Sequence, residues 1–176
     1  QIEYAEKAVE NSSTILGVVC KDGIVLATEK VMPNRLFVAQ TDKRIYSMSR
    51  NSGILVNGVI PDGRNIMYKG RKEHKSYRDQ FGAEITGKVL AERLGQYMHF
   101  NTCYYSKRPY GTTCILSAWD KINGYTLHMI EPSGNCNQYY GCASGKGRQT
   151  VRSEIEKEDF KNLTCEEALP KVAKIL

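Results

Sequence analysis

One segment of the chain has the glycines and the lysine that a phosphate-binding loop would need. Residues 141–147 read Gly-Cys-Ala-Ser-Gly-Lys-Gly. A phosphate-binding loop of this type places four residues between its first glycine and a Gly-Lys pair, and a Ser or Thr follows the lysine. Here the spacing is one residue short, and Gly147 follows Lys146. We therefore interpret the segment as a glycine-rich entry to a helix.

The cysteines and histidines show no spacing typical of a metal site. There is no C-x-x-C pair, and the three histidines, His74, His99 and His128, are far apart in the sequence. Six scattered cysteines are typical of buried thiols in a reducing compartment rather than of a disulfide framework. The sequence thus predicts no metal site and no cofactor, and it favours the cytoplasm and nucleus. We expect His74 to face solvent and His99 to pack on its helix.

Much of the net charge of +6 lies in one predicted helix. A basic helix can bind nucleic acid, and a free-standing RNA-binding domain would show steeply salt-dependent affinity. It can also be a solvated face, or a face that meets an acidic neighbour subunit. We favour a solvated face or a face that contacts a neighbour subunit, because no aromatic stacking platform accompanies the charge. The sequence therefore predicts no nucleic-acid partner. The basic residues are Arg64, Lys69, Arg71, Lys72, Lys75 and Arg78.

Hydrophobic periodicity predicts an alternation of strand pairs and helix pairs after a short first helix. The predicted strands are 14–20, 24–28, 44–48, 53–58, 113–119, 125–130 and 137–141, and a loop is expected around Pro33. The predicted helices are 1–11, 61–81, 86–104, 144–160 and 164–176. Ser144 is expected to cap the fourth of these, and Pro170 to kink the fifth or delay its start.

This order of elements indicates an α+β fold. Each sheet must cover its apolar face, and two antiparallel sheets packed on each other between helix layers would do so. We therefore predict a four-layer αββα sandwich. No run of eighteen apolar residues occurs, so the sequence predicts no membrane-spanning helix.

Six stretches, in the same order over the whole chain, resemble the proteasome α-subunit family. They are 1–5 (QIEYA), 21–27 (KDGIVLA), 57–64 (NGVIPDGR), 108–111 (RPYG), 131–134 (EPSG) and 145–149 (GKGRQ). Residues 7–11 and 172–175 most resemble the seventh α position of the eukaryotic ring. The resemblance implies a single domain over 1–176 with the N-terminal nucleophile hydrolase-like fold. It also implies that this chain lacks the N-terminal gate tail and the last C-terminal strands of the family.

The same resemblance allows a test for catalysis. Catalytic β relatives use an N-terminal nucleophile whose own α-amine is the base. Alignment of the 21–23 hairpin puts Ser13 at the nucleophile position, with Thr14 after it, but Ser12 and a helix precede both. Glu29 replaces the family's aspartate, and Arg44 replaces a lysine although arginine does not lose its proton. We therefore predict no catalytic residue, with an unprocessed β-type threonine protease subunit as the alternative.

The resemblance implies an architectural function in ubiquitin-dependent protein breakdown. The expected partners are other α subunits in a heptameric ring, the β subunits, and activators with C-terminal tails. Arg44, with Lys43 beside it, matches the basic residue that pairs with an activator's terminal carboxylate, although a salt bridge to an adjacent α subunit is an equal alternative. Tyr4 matches a tyrosine that supports the open gate, or it packs a helix start. From the apolar stripe of the first helix, Ala5 and Val9 are expected to contact neighbouring subunits during ring assembly.

Overall fold

A computed structural model describes residues 1–32, 34–38 and 41–176, so Pro33 lies outside the described residues. The helices in this part are α1 (Ile2–Glu10), α2 (Ile60–Phe81), α3 (Gly87–Cys103), α4 (Arg148–Lys157) and α5 (Cys165–Ile175). The strands are β1 (Ile15–Val19), β2 (Ile24–Thr28), β3 (Ile45–Ser47), β4 (Ser52–Gly58), β5 (Thr112–Asp120), β6 (Gly124–Ile130), β7 (Cys136–Tyr139) and β8 (Gly141–Ser144).

The strands form two antiparallel sheets that pack face to face. The smaller sheet has the order β2-β1-β8 and the larger has β3-β4-β5-β6-β7. Residues from both sheets share one buried cluster between them, including Ile15 from β1 and Ile115 from β5. Helices α2 and α3 cover the outer face of the larger sheet, and α4 and α5 cover that of the smaller. The predicted α+β fold with a four-layer αββα arrangement is confirmed.

Alternation along the strands decides which layer each side chain enters. In β4, Ile54 and Val56 belong to the core beneath α2 and α3, whereas Leu55 belongs to the core between the sheets. All three are fully buried. Because successive side chains of a strand point to opposite faces, a central strand covered on both sides must be apolar at consecutive positions.

The prediction that Ser144 caps a helix is wrong. Residues Gly141–Ser144 form β8, which pairs with β1 and completes the smaller sheet. The helix α4 starts only at Arg148, after the N-cap Gly147, and it ends at Lys157 rather than near Phe160. The ladder with β1 supplies backbone partners to 141–144, and those bonds cannot also be made in a helix.

Pro170 does not delay the start of α5. A capping box is present at Thr164, because Thr164 Oγ1 accepts from the N–H of Glu167 and the Glu167 carboxylate accepts from the N–H of Thr164. The helix begins at Cys165 and continues through Pro170 to Ile175. The cap therefore fixes the start, and a proline in the second turn does not move it.

One buried carboxylate joins the start of α2 to the segment before β5. The Asp62 side chain is only 7% exposed. Arg108 Nη1 donates to its Oδ2 at 2.6 Å and Nη2 to its Oδ1 at 2.7 Å. The N–H of Gly111 donates to Oδ2 at 3.0 Å. Two of the sequence motifs, 57–64 and 108–111, therefore meet at a single side chain.

Gly58 permits the close approach of these two segments. Its φ is 89°, a conformation that L side chains rarely adopt. A Cβ at this position would also overlap the carbonyl oxygen of Gly111. Next to it, the N–H of Val59 donates to that carbonyl at 2.8 Å. A side chain at position 58 would push the two segments apart.

Replacing Asp62 with asparagine tests this connection. We expect the free energy of unfolding at pH 7 to fall by about 1–3 kcal/mol, because Arg108 and Gly111 lose a charged acceptor. Burial by itself would raise the pKa of Asp62, but the hydrogen bonds from Arg108 and Gly111 outweigh it and hold the pKa below 3.8. Stability from this group is therefore fully present above about pH 4 and is lost as the pH falls through the lowered folded-state pKa.

Urea unfolding followed by circular dichroism, at pH 7 and at successively lower pH, measures both effects. Asp79→Asn is the matched control, because Asp79 is exposed on the same helix and forms no ion pair with any described residue. Its effect should stay within about 0.5 kcal/mol. Equal stability of the two variants at pH 7 would show that the Asp62 network contributes nothing.

Candidate functional site

The residues at the nucleophile position are enclosed by the glycine-rich segment that precedes α4. Gly145 has a φ of 98°, and a Cβ there would overlap the carbonyl oxygen of Ser13. The N–H of Lys146 donates to Ser12 O at 3.0 Å. The N–H of Gly147 donates to Thr14 Oγ1 at 3.2 Å. Gly145 and Gly147 thus allow the backbone to approach Ser13 and Thr14 closely. This packing agrees with the interpretation that the segment is not a phosphate-binding loop.

Among the described residues, no base is hydrogen-bonded to the hydroxyl of Ser13 or Thr14. Both are internal residues that follow α1, so neither carries a free α-amine. Thr14 is 6% exposed and its hydroxyl already accepts a hydrogen bond. Glu29 is exposed and meets Thr14 through its backbone, N–H to O at 2.9 Å. The nucleophile, amine and acid of an N-terminal hydrolase are therefore not assembled among the described residues.

Arg44 lies at the start of β3 and is paired within the chain. Its Nη2 is 3.2 Å and its Nε 3.3 Å from Asp42 Oδ2. The Arg44 side chain is 14% exposed and that of Asp42 is 25% exposed. Sequence reasoning missed Asp42, although its position two residues before Arg44 was a visible signal. Any carboxylate that docks at Arg44 must share the guanidinium with Asp42.

Two further cations lie at Tyr46, two residues after Arg44 in the chain. The Tyr46 hydroxyl donates to Lys43 O at 2.6 Å and accepts from Arg64 Nε at 3.1 Å. The Lys43 Nζ lies 5.7 Å from the centre of the Tyr46 ring. Lys43 and Arg64 are both exposed. We group Lys43, Arg44 and Arg64 as one cationic cluster, of which the sequence predicted the first two members.

Helix α1 lies against the chain's own sheets. Ala5 is 9% exposed and Val9 is 4% exposed. A Cβ built on Gly58 would lie 3.1 Å from Val9 Cγ2, which places Val9 at the end of β4. The expectation that these two side chains face neighbouring subunits is therefore corrected: their own domain covers them. An amphipathic helix buries its apolar stripe on the nearest core, and the sheet ends supply one.

The opposite face of α1 is the one open to solvent. Tyr4 is 76% exposed, and Lys7 Nζ lies 6.0 Å from the centre of its ring. Ile2 is 38% exposed. An ion pair between Glu10 Oε1 and Arg148 Nη2, at 2.7 Å, fixes the end of α1 to α4. The helix is thus held on the domain and presents Ile2 and Tyr4 outward.

Within residues 1–32, 34–38 and 41–176, no cluster of His, Cys, Asp and Glu could hold a metal ion. None of the helices in this part has the length and apolarity needed to cross a membrane.

Comparison with known proteins gives the family. A family model described as "Proteasome subunit" matches residues 9–176. Proteasome subunit alpha type-3 of Acanthamoeba castellanii is 46% identical over 176 residues, which is all of this chain and 69% of that protein. The chain belongs to the proteasome α-type subunits. The probable proteasome subunit alpha type-7 of Schizosaccharomyces pombe is 45% identical, and the alpha type-3 subunit of Oryza sativa subsp. japonica 44%, each over the whole chain.

These relationships confirm the predicted family and the non-catalytic function. Both type numbers occur among the similar relatives, as expected for one ring position under two naming schemes. The α-type subunits are the non-catalytic, structural subunits of a threonine-protease complex, and they assemble with other proteasome subunits. The enclosed Ser13 and Thr14 agree with that role. The β-type and RNA-binding alternatives are thereby set aside.

An α-type subunit with this geometry should not be processed at Ser13 or Thr14. Intact-mass spectrometry of the chain from assembled particles should show no new N-terminus at either residue. Ser13→Ala should leave peptide hydrolysis by those particles unchanged, because Ser13 has no base within reach. A chain that begins at Ser13 or Thr14, or a loss of activity in Ser13→Ala particles, would contradict the enclosed geometry.

Proposed function

We propose that this α-type subunit is a wall and gate component of the proteasome core in ubiquitin-dependent protein breakdown. It occupies the seventh position of a heptameric α ring in the cytoplasm and nucleus, beside the catalytic β rings. The observation that carries the proposal is the enclosure of Ser13 and Thr14 in a chain 46% identical to an alpha type-3 subunit. Such a chain contributes contact surface to the particle and no catalytic nucleophile.

Ring assembly is proposed to use the exposed face of α1. Ala5 and Val9 contribute by holding the helix on the domain, and Ile2 and Tyr4 face the neighbour or the gate tail. A nine-residue helix is marginal in water by itself. Its outward face is therefore presented only while its inner face stays packed.

Replacing Ala5 with aspartate should release α1 and impair incorporation into particles. A charge at a position that is 9% exposed would have to be buried without a partner, so the helix should leave the sheet ends. Native gel electrophoresis of particles carrying tagged subunit measures incorporation, and circular dichroism of the free chain reports whether the remaining domain stays folded.

Ala173→Asp is the matched control for Ala5→Asp. Ala173 is an exposed alanine on α5, outside the face of α1 that is proposed for assembly, so the substitution adds the same charge without burying it. It should incorporate normally. Normal incorporation of Ala5→Asp would show that the seating of α1 is not needed for assembly.

The Lys43–Arg44–Arg64 cluster is proposed to dock the C-terminal carboxylate of an activator tail. Arg64 donates to the Tyr46 hydroxyl, Lys43 lies over the Tyr46 ring, and Asp42 is the carboxylate that Arg44 contacts. A guanidinium can bind two carboxylates through separate N–H groups, because it carries five donors. The alternative is that Arg44 braces an adjacent α subunit, in which case its loss would affect assembly first.

Arg44→Ala should weaken stimulation by tail-bearing activators while assembly and basal activity stay intact. A charge-assisted hydrogen bond contributes roughly 1.5–3 kcal/mol, about ten- to a hundredfold for one tail. Several tails per activator should mask part of that loss. Arg44→Lys should be tolerated if the contact needs only a positive charge and not the parallel N–H donors of a guanidinium. Peptide hydrolysis by particles titrated with activator, at two salt concentrations, gives the measurement.

Asp42→Asn should change activator affinity in the direction opposite to Arg44→Ala. It removes the carboxylate that competes for Arg44, so activator affinity should be equal to or greater than that of the unchanged particle. Lys30→Ala is a control for the loss of one exposed charge outside the cluster. If Arg44→Ala particles fail to assemble, Arg44 is an intersubunit brace and the docking assignment is wrong.

A further inference from the structure

A groove between α2 and the turn from β3 to β4 is lined by basic side chains that the proposed function does not use. Its volume is about 750 Å³. The turn contributes Met48, Ser49, Arg50 and Asn51 on one side. On the other side are Arg71, His74, Lys75, Arg78, Asp79 and Glu84, from α2 and the segment after it. Four of these residues are cationic at neutral pH, Arg50, Arg71, Lys75 and Arg78, against two carboxylates.

Two of the four cations are uncommitted among the described residues. Arg78 Nε is 3.0 Å from Glu84 Oε1, so that pair is internally neutralised. Arg71 donates to the carbonyl of Ser47 at 2.8 Å and 3.2 Å, which fixes its guanidinium on the rim of the groove. Arg50 and Lys75 form no ion pair with any described residue. The groove therefore carries excess positive charge on both walls.

His74 lies at the base of the groove and has an unsatisfied ring nitrogen. The prediction that it faces solvent is wrong, because it is 4% exposed. Ser52 Oγ is 2.7 Å from its Nε2. Nδ1 has no hydrogen-bond partner among the described residues. A buried polar atom without a partner is uncommon in folded proteins, and it indicates a ligand or an ordered water.

Ser52 contacts Nε2, so the role of Nδ1 follows from the tautomer of the ring. The N–H of Asn51 donates to Ser49 Oγ at 3.1 Å, and Ser49 Oγ lies 2.9 Å from Ser52 Oγ, a contact in which either hydroxyl can donate. Burial lowers the pKa of His74, which favours the neutral ring with one proton. In the tautomer in which Ser52 donates to Nε2, Nδ1 carries that proton, and the base of the groove presents an N–H donor.

The same residues do not form a hydrolytic triad. Glu84 Oε2 is 3.9 Å from Nδ1, beyond hydrogen-bond distance, and its other oxygen is held by Arg78. No carboxylate therefore orients His74 toward Ser52. The arrangement suits binding rather than covalent chemistry.

We propose that this groove binds a compact polyanion, namely a multiply phosphorylated small molecule without a nucleobase. Arg50 and Lys75 supply charge from opposite walls, and the Nδ1–H of His74 supplies a donor at the base. Phosphate oxygens accept from such donors. No Phe, Tyr or Trp is among the described residues that line the groove, and the His74 ring is buried, so a nucleobase lacks a large aromatic stacking surface. The volume lies in the range of small-molecule sites.

Lys75→Gln tests the proposal, with Lys72→Gln as its matched control. Both lysines are exposed on α2, three residues apart, and only Lys75 lines the groove. Isothermal titration of tripolyphosphate into assembled particles should show affinity about tenfold weaker for Lys75→Gln. Lys72→Gln should change affinity by about twofold or less, since salt screens a charge outside the site.

Arg50→Gln extends the test to the opposite wall. It should weaken tripolyphosphate to a similar degree, about tenfold, because both walls contact one ligand. A parallel titration with inositol hexakisphosphate distinguishes a ring polyphosphate from a linear one by which binds more tightly. Native mass spectrometry confirms that each variant is incorporated, so that a failure of assembly is not confused with a failure of binding.

Two results would overturn the proposal. One is the absence of binding of either probe to particles, which is also the outcome if an acidic segment of a neighbouring subunit fills the groove. The other is equal weakening by Lys72→Gln and Lys75→Gln, which would show a diffuse basic surface instead of a site.

Discussion

The bidentate contact between Asp62 and Arg108 sets the position of helix α2, and both cationic regions depend on that helix. Asp62 lies in the first turn of α2, where its negative charge also suits the helix N-terminus. From this fixed start, α2 carries Arg64 to the Tyr46 hydroxyl at 3.1 Å and His74 to Ser52 at 2.7 Å. A shift of α2 on the larger sheet would separate the Lys43–Arg44–Arg64 cluster and open the groove around His74 together.

A second close contact encloses the residues at the nucleophile position. Gly145 and Gly147 lie directly on Ser13 and Thr14, and Arg148 extends the contact to Glu10 of α1. A free amine at Ser13 would require removal of α1, whose Ala5 and Val9 are buried on the sheet ends. The residues that resemble a phosphate loop in sequence therefore have a steric role.

The basic segment of α2 does not act as one surface. Lys69 pairs with Glu73 at 2.7 Å, Arg78 pairs with Glu84, and Arg64 binds Tyr46. The side facing the β3–β4 turn combines the uncommitted charges of Arg50 and Lys75 with the groove around His74. Net charge, summed along a helix, cannot reveal this division, because it does not show which side chains are neutralised by a partner. The distinction between a solvated face and a binding site is made residue by residue.

The sequence determined the fold class and most elements, because the apolar spacing of β1 to β6 and the Thr164 capping box act over a few residues. It also determined the family and the non-catalytic role, since both follow from residue types at fixed positions. It did not determine β8, the burial of His74, or the inward direction of Ala5 and Val9. Those depend on which surfaces pack together. Only the tertiary structure brought Arg64 of α2 to Tyr46 of β3, because partners from separate elements meet only after the sheets and helices have packed.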